Sequence, residues 1–173
     1  NNYTLRQRGR MLYMSSPVAT SAINTNRTKV VGVGLTLKSS IDHEALGLTA
    51  EQAKVWQKRT EKEFALWAND KASCDATGMN SFTSLQQLTL ISWLMSGDVF
   101  ALFQRRDGNR LRPYSLRIHL IEADRVRTPS NMGAGLIPLT EGKNYDNGNR
   151  IFDGLEVDAS GMVTAYYVHN TYP

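Results

Sequence analysis

The stretch from 96 to 128 constrains the fold more than any other part of the chain, because two strand patterns follow each other there. Residues 98–105 are rich in β-branched, aromatic and aliphatic residues, and residues 114–123 alternate apolar and polar side chains. Alternation with a period of two is typical of a half-buried strand. Between the two runs, Asp107-Gly108-Asn109 supplies the residue types of a chain reversal. The stretch therefore predicts an antiparallel hairpin, with Pro113 at the start of its second strand.

Two longer helices precede the hairpin. Thr49 and Gln52 form the pattern of a capping box, which predicts a helix from Ala50 to about Asn69. Ser81 can cap a second helix over residues 82–95, and Gly97 is suited to end it. The last two turns of this second helix are apolar almost all round, so we expect them to be buried.

The remaining segments give weaker patterns. Residues 3–14 and the residues from Pro17 onwards predict two short helices in tandem. Residues 29–38 predict a strand, residues 128–148 a long loop, and residues 150–158 and 162–169 a second unit of two strands. The fold class that follows is α+β, with a helical arm over residues 1–28. Residues 29–173 then form one domain in which two amphipathic helices pack on antiparallel hairpins.

The charged end of the first hairpin is the first place where function is expected. Glu122, Asp124 and Arg125 follow one another there. Alternation along a strand should send the two carboxylates to opposite faces, which makes them a poor acid and base pair. Salt bridges to Arg125 or Arg127 are the preferred interpretation. These three residues are therefore predicted to be structural or to contact another subunit.

Tryptophans and arginines offer two further candidates. Trp56 and Trp67 lie on one face of the first long helix, at spacings that indicate core packing or a subunit contact. Base stacking is a less favoured alternative for them. In the arm, Arg6, Arg8 and Arg10 are spaced by two and cannot all share one helical face. Solvation of the arm is preferred over a contact with an acidic partner.

Charge and cysteine content exclude some classes of function. The 173 residues contain 20 basic and 16 acidic side chains, a formal net charge of +4, and no run of five like charges. A mixed solvated surface is therefore favoured over a nucleic-acid footprint, although a basic α+β nucleic-acid-binding module stays open as the alternative. Cys74 is the single cysteine, so no internal disulfide can form, and a buried, unreactive thiol is expected. No apolar run approaches the length of a membrane span.

The residue patterns of catalytic chemistry are absent. His43, His119 and His169 are widely separated, and none belongs to a metal-binding motif. Gly32-x-Gly34 resembles part of a dinucleotide loop, but Leu37 stands where the third glycine is required. Asp146-Asn147-Gly148-Asn149 lacks the regular ligand series of a calcium loop, so an ordinary turn is predicted. We therefore predict no catalytic residues, no metal and no cofactor.

A series of short motifs runs along the chain in a fixed order. The motifs are Arg8-x-Arg10, Ser16-Pro17-Val18, Val30-Val31-Gly32-x-Gly34, Phe64-x-x-Trp67, Cys74-Asp75 with Gly78, Phe82-x-x-Leu85-Gln86, Gly97-Asp98-Val99-Phe100, Leu120 to Val126, and Ile151 to Asp158 with Gly161 and Ala165-Tyr166. No single motif is diagnostic, but taken together and in this order they resemble the lambda family of tailed-phage portal proteins over essentially the whole chain.

This resemblance implies a structural role and a set of partners. It implies a non-enzymatic subunit of a homo-oligomeric ring, typically a dodecamer, at one vertex of the capsid of a phage or prophage. Double-stranded DNA would pass through the ring, terminase would dock on it, and capsid, scaffold and head-tail connector proteins would surround it, with no membrane involved. The resemblance further implies that this chain is an N-terminal part containing much of the wing region. We expect the arm of residues 1–28 to reach toward a neighbouring subunit.

Overall fold

The computed structural model describes residues 2–129, 141–144 and 146–170. Within them the chain is α+β, as predicted, and one short 3₁₀ turn spans Ala123–Arg125. The helices are α1 (Asn2–Ser15), α2 (Pro17–Val30), α3 (Ala50–Asn69), α4 (Lys71–Cys74) and α5 (Phe82–Ser96). The strands are β1 (Val99–Arg105), β2 (Leu116–Glu122), β3 (Glu141–Lys143), β4 (Arg150–Phe152), β5 (Leu155–Val157) and β6 (Val163–Tyr166).

The chain divides into two compact units. Unit 1 contains residues 1–20, 92–100 and 121–173, and unit 2 contains residues 21–91 and 101–120. The sheets follow a simple antiparallel order, with β1 next to β2, and β3, β4, β5 and β6 in sequence. The antiparallel pairing predicted from the strand patterns is thus confirmed, with the first hairpin formed by β1 and β2.

The helix ends follow the capping signals. Thr49 Oγ1 accepts a hydrogen bond from the amide of Gln52, and the side chain of Gln52 accepts one from the amide of Thr49. The amide of Ser84 donates to Ser81 Oγ at the start of α5. At its end Gly97 has φ +83°, and its amide donates to the carbonyl of Trp93. Each cap satisfies a backbone group that the helix itself leaves unpaired, so both predicted boundaries are confirmed.

The strand predicted over residues 29–38 is wrong. Helix α2 ends at Val30, and Gly32 in the turn after it has a φ of +53°, which glycine adopts freely. Beyond it, Gln86 bonds the backbone of Leu35 through both its amide nitrogen and its oxygen. A side chain therefore takes the backbone groups that a neighbouring strand would have paired, and no strand forms.

The first hairpin reverses later than the Asp107-Gly108-Asn109 signal predicted. The tight reversal lies at Asn109 and Arg112, whose backbone groups bond each other in both directions. Gly108 does not adopt a positive φ. A Cβ added to it would lie 2.7 Å from the carbonyl oxygen of Pro113, so glycine is needed there for close approach. Pro113 lies before β2 rather than in it.

The second β region is a four-stranded sheet rather than one hairpin. The single strand predicted over residues 150–158 is two strands, β4 and β5, joined by the turn residues Asp153 and Gly154. Both turn residues have positive φ, +47° and +84°, as a two-residue hairpin turn requires. The loop predicted over residues 128–148 contains β3, and its residues 130–140 lie outside the described part of the chain.

The expected burial of the end of α5 is also wrong. Leu85 is the buried residue of α5, whereas Trp93 is 57% exposed and Leu94 42% exposed. Apolar residues all round a helix favour burial only where the rest of the chain covers every side, and the described residues leave these two side chains partly uncovered. The end of α5 that belongs to unit 1 therefore carries exposed apolar side chains.

Candidate interaction sites

An ion-pair cluster connects α1 to the charged end of β2 within unit 1. Arg10 Nη2 lies 3.0 Å from Glu122 Oε2 and 2.8 Å from Asp124 Oδ2. One turn earlier in the same helix, Arg6 Nη2 lies 2.8 Å from Asp98 Oδ2, and its Nη1 donates to the carbonyl of Ala123. We call these five side chains, Arg6, Arg10, Asp98, Glu122 and Asp124, the arginine latch.

The 3₁₀ turn brings Glu122 and Asp124 to one cation. The chain leaves the strand at Glu122, so the alternation that would have sent Asp124 to the opposite face no longer applies. The predicted partners, Arg125 and Arg127, are wrong for both carboxylates, and Arg10 takes their place. Sequence reasoning missed Arg10 because it is 112 positions away from Glu122.

Asp124 has the most deeply buried side chain of the latch. Its side chain is 1% exposed, and neither carboxylate oxygen has a hydrogen-bond donor among the described residues. Arg10 Nη2 donates to Glu122, so its short contact with Asp124 is an ion pair without hydrogen-bond geometry. A buried carboxylate with a single compensating charge is destabilising once that charge is removed.

The arginines of α1 explain which face of the helix contacts the rest of unit 1. Arg6 and Arg10 are four positions apart and share one face, while Arg8 is exposed. The preferred interpretation that all three arginines are solvated is therefore wrong for Arg6 and Arg10. Helix α1 buries none of its residues. Its charged face meets the rest of unit 1, and Leu5 and Leu12 are exposed elsewhere on the helix.

The side chain of Arg125 bonds to the backbone rather than to the carboxylates of Glu122 and Asp124. Its Nε donates to the carbonyl of His169 at 2.8 Å, and the amide of His169 donates to the carbonyl of Arg125. These two bonds hold the residues after β6 to the residues after β2. The side chain of Arg125 therefore has an internal role in unit 1.

Trp56 and Trp67 lie along one groove of unit 2 but differ in burial. Trp67 is 7% exposed, and its Nε1 donates to the carbonyl of Leu116. Its ring packs 5.4 Å from that of Phe64 and 5.2 Å from that of Phe82. Trp56 is 49% exposed. The groove has a volume of about 820 Å³, and its lining is mainly apolar and aromatic.

Glu156 is a second buried carboxylate, and sequence reasoning missed it. The hydroxyl of Tyr167 and the side-chain amides of Asn147, Asn144 and Asn149 donate to it and lower its pKa to about 2. The turn predicted over residues 146–149 is confirmed, and two of its asparagines point to this carboxylate. Three asparagines within six positions were the available signal in the sequence.

The side chains with intrinsic reactivity are dispersed in the described residues. Cys74 is fully buried, as predicted, and burial raises the pKa of its thiol. No group of three or more His, Cys, Asp or Glu side chains in the described ranges could hold a metal ion. None of the described helices is long and apolar enough to cross a membrane.

Comparison with known proteins gives the family. The model of the lambda family of phage portal proteins matches residues 1–173. The chain is also 28% identical over 171 residues to a protein named "Probable portal protein" from Halomonas phage phiHAP-1. That match covers 98% of this chain and 29% of that relative, so the chain spans under a third of its length. The protein belongs to the lambda family of phage portal proteins, and the resemblance noted in its motifs is confirmed.

Proposed function

We propose that the chain is part of a subunit of the portal ring at the unique vertex of a phage capsid. The observation that supports this proposal is the family match over residues 1–173. In this proposal the role is structural and not enzymatic. The ring, typically a dodecamer, forms the channel for DNA packaging and ejection.

The partners follow from the same proposal. The ring would dock terminase during packaging, contact capsid and scaffold proteins at the vertex, and join head-tail connector proteins afterwards. The protein would be assembled in the host bacterial cytoplasm and reside in the virion. Because the chain spans 29% of its relative's length, residues outside it contribute to these functions.

A closed ring requires two different patches on each subunit, one meeting the other on the next copy. We propose that Trp56, Trp67, Glu122, Asp124 and Arg125 support or form such patches. Trp56 and Glu122 are the most accessible of the five, with Trp56 49% exposed and the Glu122 side chain 47% exposed. Trp67, Asp124 and Arg125 would act by holding them in place. The exposed apolar residues of the arm, such as Leu5 and Leu12, extend the proposal to residues 1–28.

Negative-stain imaging of the full-length protein tests the ring. We expect closed rings for the wild type, fewer rings after deletion of residues 1–28, and fewer for Trp56→Ala. Trp56→Phe is the matched control because it keeps an aromatic ring at the same position. Monomers of the wild-type protein would contradict the ring, whereas unchanged assembly of the deletion variant would contradict the role of the arm alone.

A further inference from the structure

A polar recess lies in unit 2, away from the aromatic groove. Its volume is about 270 Å³. One wall comes from the turn after α4 and the other from the loop of the first hairpin. The lining residues are Ala72, Asp75, Ala76, Thr77, Gly78, Arg106, Asp107, Asn109, Arg112 and Arg117.

Arg117 is a buried cation at this recess. It is 4% exposed, and its Nη1 lies 2.7 Å from the carbonyl oxygens of Ser73 and Tyr114. The contact with Ser73 places the guanidinium beside the wall formed by residues 72–78. No carboxylate lies within 4.0 Å of it among the residues that the structure describes. Neutral carbonyls fix its position, and Asp70, whose pKa is lowered first by the Ser73 hydroxyl and also by this charge, lies beyond ion-pair distance, so the buried guanidinium has no close counter-charge.

Guanidinium groups outnumber carboxylates in the lining of the recess. Arg106 and Arg112 line the opposite wall, and the ion pair of Arg112 with Asp70 is long, at 3.7 Å, and partly exposed. The lining includes two carboxylates, Asp75 and Asp107, against three guanidinium groups.

Asp75 is already engaged by its own turn. Its carboxylate accepts hydrogen bonds from Thr77, Met79 and Asn80. Burial alone would raise its pKa, but the bonds from Thr77 and Asn80 outweigh this effect and hold the pKa below its usual range. Asp75 therefore stabilises the turn and is poorly placed to neutralise Arg117 as well.

We propose that this recess binds a phosphate group, with Arg117 as the fixed contact and Arg106 and Arg112 closing over the anion. A tetrahedral phosphate presents several acceptor oxygens in different directions and can meet three guanidinium groups at once. A carboxylate is planar and is matched by one arginine. The phosphate comes either from free inorganic phosphate or from a phosphodiester of nucleic acid, and the chemistry of the contact is the same.

Calorimetric titration of the full-length protein with inorganic phosphate tests the site, with chloride used to keep the ionic strength constant. Arg106→Gln and Arg112→Gln change exposed side chains, so the fold should be retained. We expect each to weaken phosphate binding about tenfold, the loss of one charge-assisted contact. Arg110→Gln is the matched control, because Arg110 is in the same loop and does not line the recess. It should bind like the wild type.

A short DNA duplex distinguishes the two sources. If the duplex displaces phosphate, and its own affinity falls in Arg106→Gln and Arg112→Gln but not in Arg110→Gln, the source is a phosphodiester. If phosphate binds unchanged in its presence, the source is free phosphate. The proposal is overturned if the wild type shows no saturable phosphate binding, if Arg110→Gln weakens it equally, or if acetate binds as tightly as phosphate.

Discussion

The two units of the chain are stabilised by different kinds of contact. In unit 2, Trp67, Phe64 and Phe82 pack with ring centroids 5.2 to 5.5 Å apart, and Leu85 and Cys74 join the same buried cluster. Unit 1 also buries apolar residues, but two buried carboxylates, Asp124 and Glu156, lie among them. Unit 2 buries Asp75 and Arg117 as well, but Asp75 is bonded by its own turn and Arg117 by backbone carbonyls, outside the aromatic cluster. An apolar cluster is stabilised by its removal from water alone, whereas a buried charge also needs a specific hydrogen-bonding or charged partner.

This difference predicts different sensitivities. Removing part of an apolar side chain costs transfer free energy and leaves a cavity, whatever the pH or salt concentration. Removing the partner of a buried charge leaves that charge uncompensated, so the cost depends on protonation as well. The buried carboxylates of unit 1 should therefore respond to acid and to single changes at distant positions, and the aromatic cluster of unit 2 should respond chiefly to changes of volume.

The largest expected effect is in the core of unit 2. Leu85→Ala should lower the free energy of unfolding of this unit by about 3 kcal/mol, since Leu85 is 3% exposed. Leu88→Ala, on the same helix but 41% exposed, is the matched control and should cost less than about 1 kcal/mol. Hydrogen exchange of peptides from α3 and β2 in the full-length protein measures the loss of stability in both variants. Equal effects would show that the cluster does not dominate this unit.

The next effect is in the arginine latch. Arg10→Ala should destabilise α1 and the turn around Asp124 by about 2 kcal/mol, less than for a fully buried pair because the Arg10 side chain is 26% exposed. Arg8→Ala, on the exposed face of the same helix, should change stability by about 0.5 kcal/mol or less. Hydrogen exchange of peptides from residues 2–15 and 121–129 gives the readout. If the two variants behave alike, α1 is not held by the latch.

The effect that depends most on acid concerns Glu156. Its pKa falls from an ordinary value of 4.5 to about 2 in the folded protein, so its contribution to stability is fully present above pH 4.5. That contribution is lost as the pH falls toward 2, because the unfolded chain then binds the proton more readily. Glu156→Gln should flatten this part of the pH profile in thermal unfolding.

The control for this measurement is Glu44→Gln, which changes an exposed glutamate in unit 2. Its profile between pH 4.5 and 2 should follow that of the wild type. A wild-type profile without any loss of stability in this window would mean that the asparagine and tyrosine contacts of Glu156 do not persist in solution.

Sequence reasoning was most successful where the determining contacts are local. The capping box at Thr49, the start of α2 at Pro17 and the end of α5 at Gly97 all depend on residues within one helical turn. The strand prediction over residues 29–38 failed for the opposite reason. Whether such a segment becomes a strand depends on a partner for its backbone, and Gln86, far along the chain, supplies the bonds instead.

The residues of the candidate sites could be identified from the sequence, but their contacts could not. Glu122, Asp124 and Arg125 could be singled out from the sequence because charges stand at the end of a strand pattern, and Trp56 and Trp67 because of their helical spacing. The contacts of these residues could not be derived from that pattern. Arg10 pairs with Asp124, which lies 114 positions later in the sequence. The donors of Glu156 come from a turn and from a residue just after β6.

The sequence by itself determined the α+β class, the capped ends of α3 and α5 and, through the order of its motifs, the portal family. These properties depend on local spacing and on the kinds of residue at each position. Only the tertiary structure decided which charges are buried and which cations compensate them. A period of two or of 3.6 residues indicates which face of an element is buried, but not which charged side chains meet there, because charge pairing is set by long-range contacts. The arginine latch, and Arg117 without a close carboxylate at the proposed phosphate site, are therefore properties of the folded chain.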